Sequence, residues 1–348
     1  MRTSAAAANR FLHRFAWCTA GATVLLICSG GMVTSKGVGL AVPDWPTTFG
    51  YNMFFFPISK WVGGIFFEHT HRLIASLIGF LTIILAGWLA FSQAERWVKL
   101  LGWVSLGAVV LQGVLGGLRV TLLKDEIGIF HACLAQAFLA LLVIIALATS
   151  PLWRQLAASQ RARPSRSLAI FALVITALLY GQLGLGATMR HQHRDLAILD
   201  FPLANGQFLP ATDAAAIARI NRAREAQALS DVSAGQIWLQ MVHRFVAAAI
   251  TLTIAAFWLL VRRNRALNPI LRRLANLWLG LVLMQFTLGA WTIWSNKAAD
   301  IATAHVAVGA LTFATGIALG ALLLHLRQAT GAPRATRPLT PLAEASAT

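Results

Sequence analysis

The chain has 348 residues, 57% of them hydrophobic and only 12% charged, and carries a net charge of +17. That charged fraction is about half of what a soluble globular chain carries, and apolar windows of about 20 residues, each long enough to cross a bilayer as a helix, recur along most of the length. Composition therefore excludes a soluble domain. The placement of the charge argues against nucleic acid as a partner. Seventeen Lys and Arg collect with two acids on one side of the expected membrane. The other side holds ten basic residues and nine acids, leaving out Glu68, Arg72 and Arg244 at the span mouths. By the positive-inside rule the basic side, with both termini, is cytoplasmic, and the number of spans is even.

The expected fold is an all-α polytopic membrane protein of eight transmembrane helices. Span one runs over about 15–34 and continues through Gly30 and Gly31 without a small-x-small cleavage site, so it reads as uncleaved. The outer loop 35–65 carries Val42-Pro43-Asp44-Trp45-Pro46, whose proline and aromatic content suits an ordered loop at the headgroups. Span two, about 66–91, opens on Glu68-His69-Thr70-His71-Arg72. Span three, about 98–119, closes on Gln112-Gly113-Val114-Leu115-Gly116-Gly117, and span four, about 128–149, has His131 in its first turn.

After a basic connection, span five covers about 168–188 and ends in Gln182-Leu183-Gly184-Leu185-Gly186. The polar stretch 190–236 contains an Ala-rich segment, 212–229, expected as an extramembrane helix that either lies on the membrane or caps a pocket. Span six, about 237–261, opens on Gln240-Met241-Val242-His243-Arg244, an echo of 68–72. Spans seven and eight follow at about 275–294 and 301–326, and a loose tail ends the chain. Cys18, Cys28 and Cys133 fall in or beside spans, so no disulfide or thiol relay is expected.

Corresponding marks divide the chain into two similar four-helix halves, a parallel duplication. His71 and His131 are 60 residues apart, and His243 and His305 are 62 apart. Gln112 and Gly116, Gln182 and Gly186, and Gln285 and Gly289 repeat a Q-x-x-L-G motif whose glycines would let a neighbouring backbone or a flat ligand approach. The expected domains are a cytoplasmic segment 1–14, a first half 15–149, a basic linker 150–167, a second half 168–326 and a flexible tail 327–348.

His71, His131, His243 and His305 all stand near the start of outside-to-inside spans, hence at one depth near the outer surface. Imidazole ligates haem iron, and axial ligation takes one donor on each face of the ring. Pairing His71 with His131 and His243 with His305 predicts two haem sites, with cross-half pairing left open. Neither half offers the three or four ligands that a bare zinc ion needs.

Arg72 and Arg244 are expected either to pair with haem propionates or to snorkel to the interface. Arg190, His191, His193 and Arg194 are expected as propionate or electron-donor contacts or as solvated loop residues. His69 points about 200° around the helix from His71 and is not expected on the same iron. Where the first half has Glu68 the second has Gln240, which suggests proton-coupled chemistry in the first half alone. Otherwise Glu68 neutralises Arg72 or orders the loop.

Together, VTSKGVGLAVPDWPTTFG in the first outer loop, EHTHR at 68–72, QGVLGG at 112–117 and the histidines at 131, 243 and 305 resemble the haem A synthase family. The resemblance covers residues 15–326. It implies oxidation of the C8 methyl of haem O to a formyl group through hydroxylated intermediates, for haem-copper oxidase biogenesis. It further implies a substrate haem at His71 and His131 with Glu68 as the catalytic acid, and a bound haem b at His243 and His305. Implied partners are haem O, the haem O synthase that supplies it and a membrane electron acceptor or quinone, with a homo-oligomer left open. The implied location is a bacterial inner membrane, with the haem sites toward the outer side. Some relatives carry a cysteine pair in the first outer loop, which this chain lacks. A membrane b-type cytochrome that carries electrons without altering haem uses the same histidines and stands as the alternative.

Overall fold

A computed structural model describes residues 2–157, 162–192 and 196–328; His193, Arg194 and most of the expected tail lie outside it. Ten α-helices occur among the described residues: α1 (Arg2–Ser35), α2 (Gly63–Phe91), α3 (Arg96–Leu122), α4 (Asp125–Ala148), α5 (Pro151–Ala157), α6 (Arg166–His191), α7 (Ala214–Glu225), α8 (Ala234–Arg263), α9 (Pro269–Trp294) and α10 (Ala299–Gln328). All except α5 and α7 are long and apolar enough to cross a membrane, giving eight candidate spans. The protein is an all-α polytopic membrane protein.

The helices overrun the apolar windows at their ends, and local capping explains why. Ser233 and Gln236 form a reciprocal capping box that starts α8 in a polar turn. Asn268 caps α9 with Pro269 in its first turn, and Ser165 caps α6. Leu123 closes α3 in a left-handed conformation at φ 55° and donates its N–H to the Arg119 carbonyl. The short α5 in the basic connection was not expected; the Ser150 hydroxyl initiates it by accepting from Trp153 N–H. The Ala-rich outer helix is shorter than its composition suggests. It spans 214–225, with Asp213 as its N-cap.

α1 packs on α2 and α4, and α3 packs on both α2 and α4. α6 packs on α8 and α10, and α9 packs on both α8 and α10. The two sets meet where α1 and α4 touch α10 and where α4 touches α6. α10 is central: 72% of its most apolar window is buried, against 17% for α3. Lipid is as apolar as leucine, so close packing and interhelical hydrogen bonds hold such helices together. Small residues allow it here. Ala310, Ala314 and Ala318, four apart on one face of α10, enter the core built by α1, α2 and α4. On α10, Gly316 admits the Trp278 ring, whose Nε1–H bonds the Thr312 carbonyl at 2.9 Å. Buried Thr19, Thr23, Thr82, Thr176 and Thr312 satisfy their hydroxyls on the carbonyl four residues earlier.

The two long outer loops contain the same turn. In the first, the Asp44 carboxylate accepts from Phe49 N–H at 2.7 Å and Gly50 N–H at 2.9 Å. In the second, Asp200 accepts from Asn205 N–H at 2.7 Å and Gly206 N–H at 2.8 Å. Each aspartate stands two residues before a cis proline, Pro46 or Pro202, and each turn closes with one bridge, Thr48 to Tyr51 or Ala204 to Gln207. Gly50 and Gly206 supply left-handed φ values of 76° and 77°. Burial pushes the Asp44 carboxyl up, but the bonds from Gly50, Thr47 and Phe49 outweigh it and its pKa falls below the ordinary value. α7 covers the second loop: Ile217 and Ile220 pack on Ala197, Ile198 and Ala204, and Arg224 bonds the Leu196 and Ser230 carbonyls.

Candidate functional site

Each of the four expected ligand histidines meets a glycine on the preceding span. A Cβ placed on Gly30 of α1 would stand 3.0 Å from Cε1 of His71 on α2. The corresponding distances are 3.4 Å from Gly116 to His131, 3.3 Å from Gly186 to His243 and 3.1 Å from Gly289 to His305. The expected close approach at these glycines is therefore made by an imidazole. In three of the four pairs a glutamine one helical turn before the glycine also reaches over. Gln112 Nε2 donates to the His131 carbonyl at 3.0 Å and Gln182 Nε2 to the His243 carbonyl at 2.9 Å. Gln285 Nε2 lies 3.3 Å from His305 Nε2. At the fourth, Leu26 occupies the glutamine position before Gly30, so the Q-x-x-L-G pattern does not reveal Gly30.

These residues leave polar atoms unsatisfied in a repeated way. Nδ1 of His71, His131, His243 and His305 is buried with no hydrogen-bond partner among the described residues, as is Oε1 of Gln112, Gln182 and Gln285. An unsatisfied buried polar atom costs about 1–3 kcal/mol, so the same omission at four equivalent positions points to a ligand. His71 lies within electrostatic range of His131, and His305 within range of His243. Among the described residues no cluster of three or more His, Cys, Asp or Glu could hold a bare metal ion. Paired imidazoles, each with an uncommitted nitrogen, fit the axial positions of haem iron.

Glu68, Arg72, Gln240 and Arg244 form two matching clasps on the outer loops. The buried Glu68 carboxylate accepts from Val42 N–H through Oε2 at 2.9 Å and from Arg72 Nη2 through Oε1 at 2.8 Å. Arg72 also donates to the carbonyls of Asp44, Thr47 and Val42 at 2.7, 3.0 and 2.9 Å. In the second half Gln240 bonds both the N–H and the carbonyl of Ile198, at 2.8 and 3.2 Å. Arg244 donates to Leu203 and Asp200 carbonyls at 2.9 and 2.7 Å.

Both guanidiniums therefore hold loop backbone. Nε of Arg244 is buried without a hydrogen-bond partner among the described residues. The clasps seat an aromatic ring over the next span but one. Trp45 covers Gly117 of α3, where a Cβ would clash at 2.3 Å, and Phe201 lies against Phe286 and Trp294 of α9. The repeat was legible as Asp-aromatic-Pro followed by glycine six residues after the aspartate, in 44–50 and 200–206.

His69 packs away from His71, as the helix angle predicts, between Phe56 and Trp61 with Thr48 on its Nδ1. Arg190 and His191 are in the last turn of α6 and not in a loop. Arg190 bridges to the Gly31 carbonyl and the Ser35 hydroxyl of α1, and His191 packs on Gly128 of α4. His13 and His325 bond the Ala146 and Trp153 carbonyls near the opposite ends of the spans. Cys18, Cys28 and Cys133 are free thiols.

Comparison with known proteins places the chain among relatives. The chain is 26% identical to "Heme A synthase" of Geobacillus kaustophilus over 329 residues, 92% of this chain and 93% of the relative. It is 26% identical to the protein of the same name from Shouchella clausii over 299 residues, covering 83% and 89% of the two chains. The identity is 30% to that of Rhizorhabdus wittichii over 260 residues, covering 72% and 69%. Residues 13–317 match the family model described as COX15-CtaA, cytochrome oxidase assembly protein, and the chain belongs to that family.

Proposed function

We propose that this chain is a haem A synthase that oxidises the C8 methyl of haem O to a formyl group through hydroxylated intermediates, supplying haem-copper oxidases. The observation that carries the reading is the fourfold histidine–glycine pair with its four buried, unpartnered Nδ1 atoms. Two four-helix units, α1–α4 and α6 with α8–α10, each bind one haem between their two histidines. His71 and His131 hold the substrate, and His243 and His305 hold a resident haem b. The bound iron would supply oxidising power that no side chain has.

The protein's own residues orient, enclose and move protons. His71 and His131 would hold the haem, and Gly30 and Gly116 leave their imidazoles the room to do so. The loop seated by Glu68 and Arg72 closes the outer mouth and keeps bulk water from the substrate. Each Glu68 oxygen retains acceptor capacity beyond its one bond, so the carboxylate can take a proton released at the methyl edge and pass it to the outer surface. The termini are cytoplasmic in a bacterial inner membrane, and electrons leave to a membrane acceptor.

The matching clasps favour one second reading. Gln240 does uncharged what Glu68 does charged, as would suit an electron-carrying b-type cytochrome with no catalytic carboxylate. Spectra of the purified chain separate the cases. His243→Ala and His305→Ala should remove the low-spin signal expected of a resident haem, whereas His71→Ala and His131→Ala should spare it and abolish haem O turnover. A resident haem signal that survives both second-half variants contradicts the assignment.

A further inference from the structure

The clasps raise a question that their own arginines cannot answer. A haem carries two propionate carboxylates, and Arg72, the expected partner in the first half, already makes four hydrogen bonds to Glu68 and loop carbonyls. Another cation stands beside the same histidines. Arg119, in the last turn of α3, lies within electrostatic reach of His71 and His131 on one side and of Glu68 and Asp125 on the other. Its guanidinium makes no hydrogen bond or ion pair among the described residues. It presses against the backbone of the first outer loop at Gly39, where a Cβ would stand 3.0 Å from both Nη atoms.

The guanidinium borders a cavity of about 110 Å³, lined also by Thr34, Gly39, Lys124, Asp125 and Arg190. That volume has room for a carboxylate or a few waters and is far short of a porphyrin. Three cations against one acid make it an anion site, and a guanidinium fork matches carboxylate geometry.

We propose that Arg119 is the residue that binds a propionate of the substrate haem, with the cavity between α1, α3 and the end of α6 receiving its carboxylate. The assignment rests on the haem reading of His71 and His131. It gives the first half a determinant that the second lacks, since Thr292 stands at the equivalent position, three residues after Gly289 as Arg119 follows Gly116. The half that must recognise and release an amphiphilic ligand thus carries a guanidinium placed for its carboxylate edge. Arg72, by contrast, holds the backbone of the first outer loop.

The test is a Soret difference titration of the full chain in detergent, loaded with its resident haem, using haem O and its propionate dimethyl ester as probes. Arg119→Gln should weaken haem O binding by about 10- to 100-fold, the scale of a lost charge-assisted pair. Arg119→Lys should recover part of the loss. The ester should bind wild-type and Arg119→Gln equally and weakly, and resident haem content, the control for folding, should stay constant. Unchanged haem O affinity in Arg119→Gln, or ester binding as tight as the free acid, overturns the assignment. His71→Ala separates the two levels: if it weakens haem O binding while Arg119→Gln does not, only the Arg119 role fails. If His71→Ala has no effect, the haem reading of the first half fails and takes this role with it.

Discussion

Replacing Glu68 with glutamine converts the first clasp into the pattern of the second, and so separates charge from shape. The glutamine oxygen can still accept from Val42 N–H, as Gln240 does from Ile198. Arg72 keeps its three loop carbonyls and loses only its ionic partner. Breaking a buried pair by removing one partner costs about 3–5 kcal/mol when the other charge is stranded. With three carbonyls still in place, a loss of about 1–3 kcal/mol, the scale of one charged hydrogen bond, is the better figure. The outer loop should therefore stay closed and both haems should load. Turnover should fall by about 10²- to 10⁴-fold, the usual contribution of a positioned proton acceptor. The assay is product analysis by mass on haem O-loaded protein, with haem content measured on the same sample. Full turnover with haem loading intact would refute the role of Glu68 in proton transfer and leave it as a loop anchor.

The histidine–glycine pairs make a steric prediction. Gly289→Ala puts a methyl 3.1 Å from His305 Cε1, closer than the 3.5–4.0 Å optimum for carbon contacts. Overpacking of this kind costs about 1–3 kcal/mol, so resident haem affinity should drop about 5- to 150-fold, whereas Gly280→Ala on the same helix, which meets open space, should change nothing. Acid should loosen the first outer loop. The Asp44 pKa is lowered in the folded protein, so its contribution is complete above the ordinary value of 3.8 and is lost as pH falls through the lower folded value. Amide exchange at Phe49 and Gly50 should rise in that range, and Asp44→Asn should flatten the dependence.

Much of this protein was legible in its sequence because a bilayer imposes one length and one polarity on every span. Eight apolar windows became eight helices, and the histidines, conspicuous against hydrocarbon, each met a glycine of the preceding span. The loops were harder. Val42 and Glu68 are 26 residues apart, and Ile198 and Gln240 are 42 apart; no local periodicity records which carbonyl an arginine will reach. The bonds of Arg72 and Arg244 to loop carbonyls were therefore not legible in the sequence. Gly30 escaped notice because its helix lacks the glutamine that marks the other three glycines. Arg119 looked like one more basic residue at a helix end until the cavity beside Gly39 showed its surroundings.

The central claim, that two imidazole pairs hold a resident haem and a haem to be oxidised, meets its most direct test in haem extracted from the purified protein. Mass analysis should be run on preparations made with and without a supply of haem O. The account predicts haem B in both, with hydroxylated or formylated haem appearing only when haem O is present. Haem B alone in both preparations would contradict the synthase and favour an electron carrier, and no haem in either would contradict the ligand role of all four histidines.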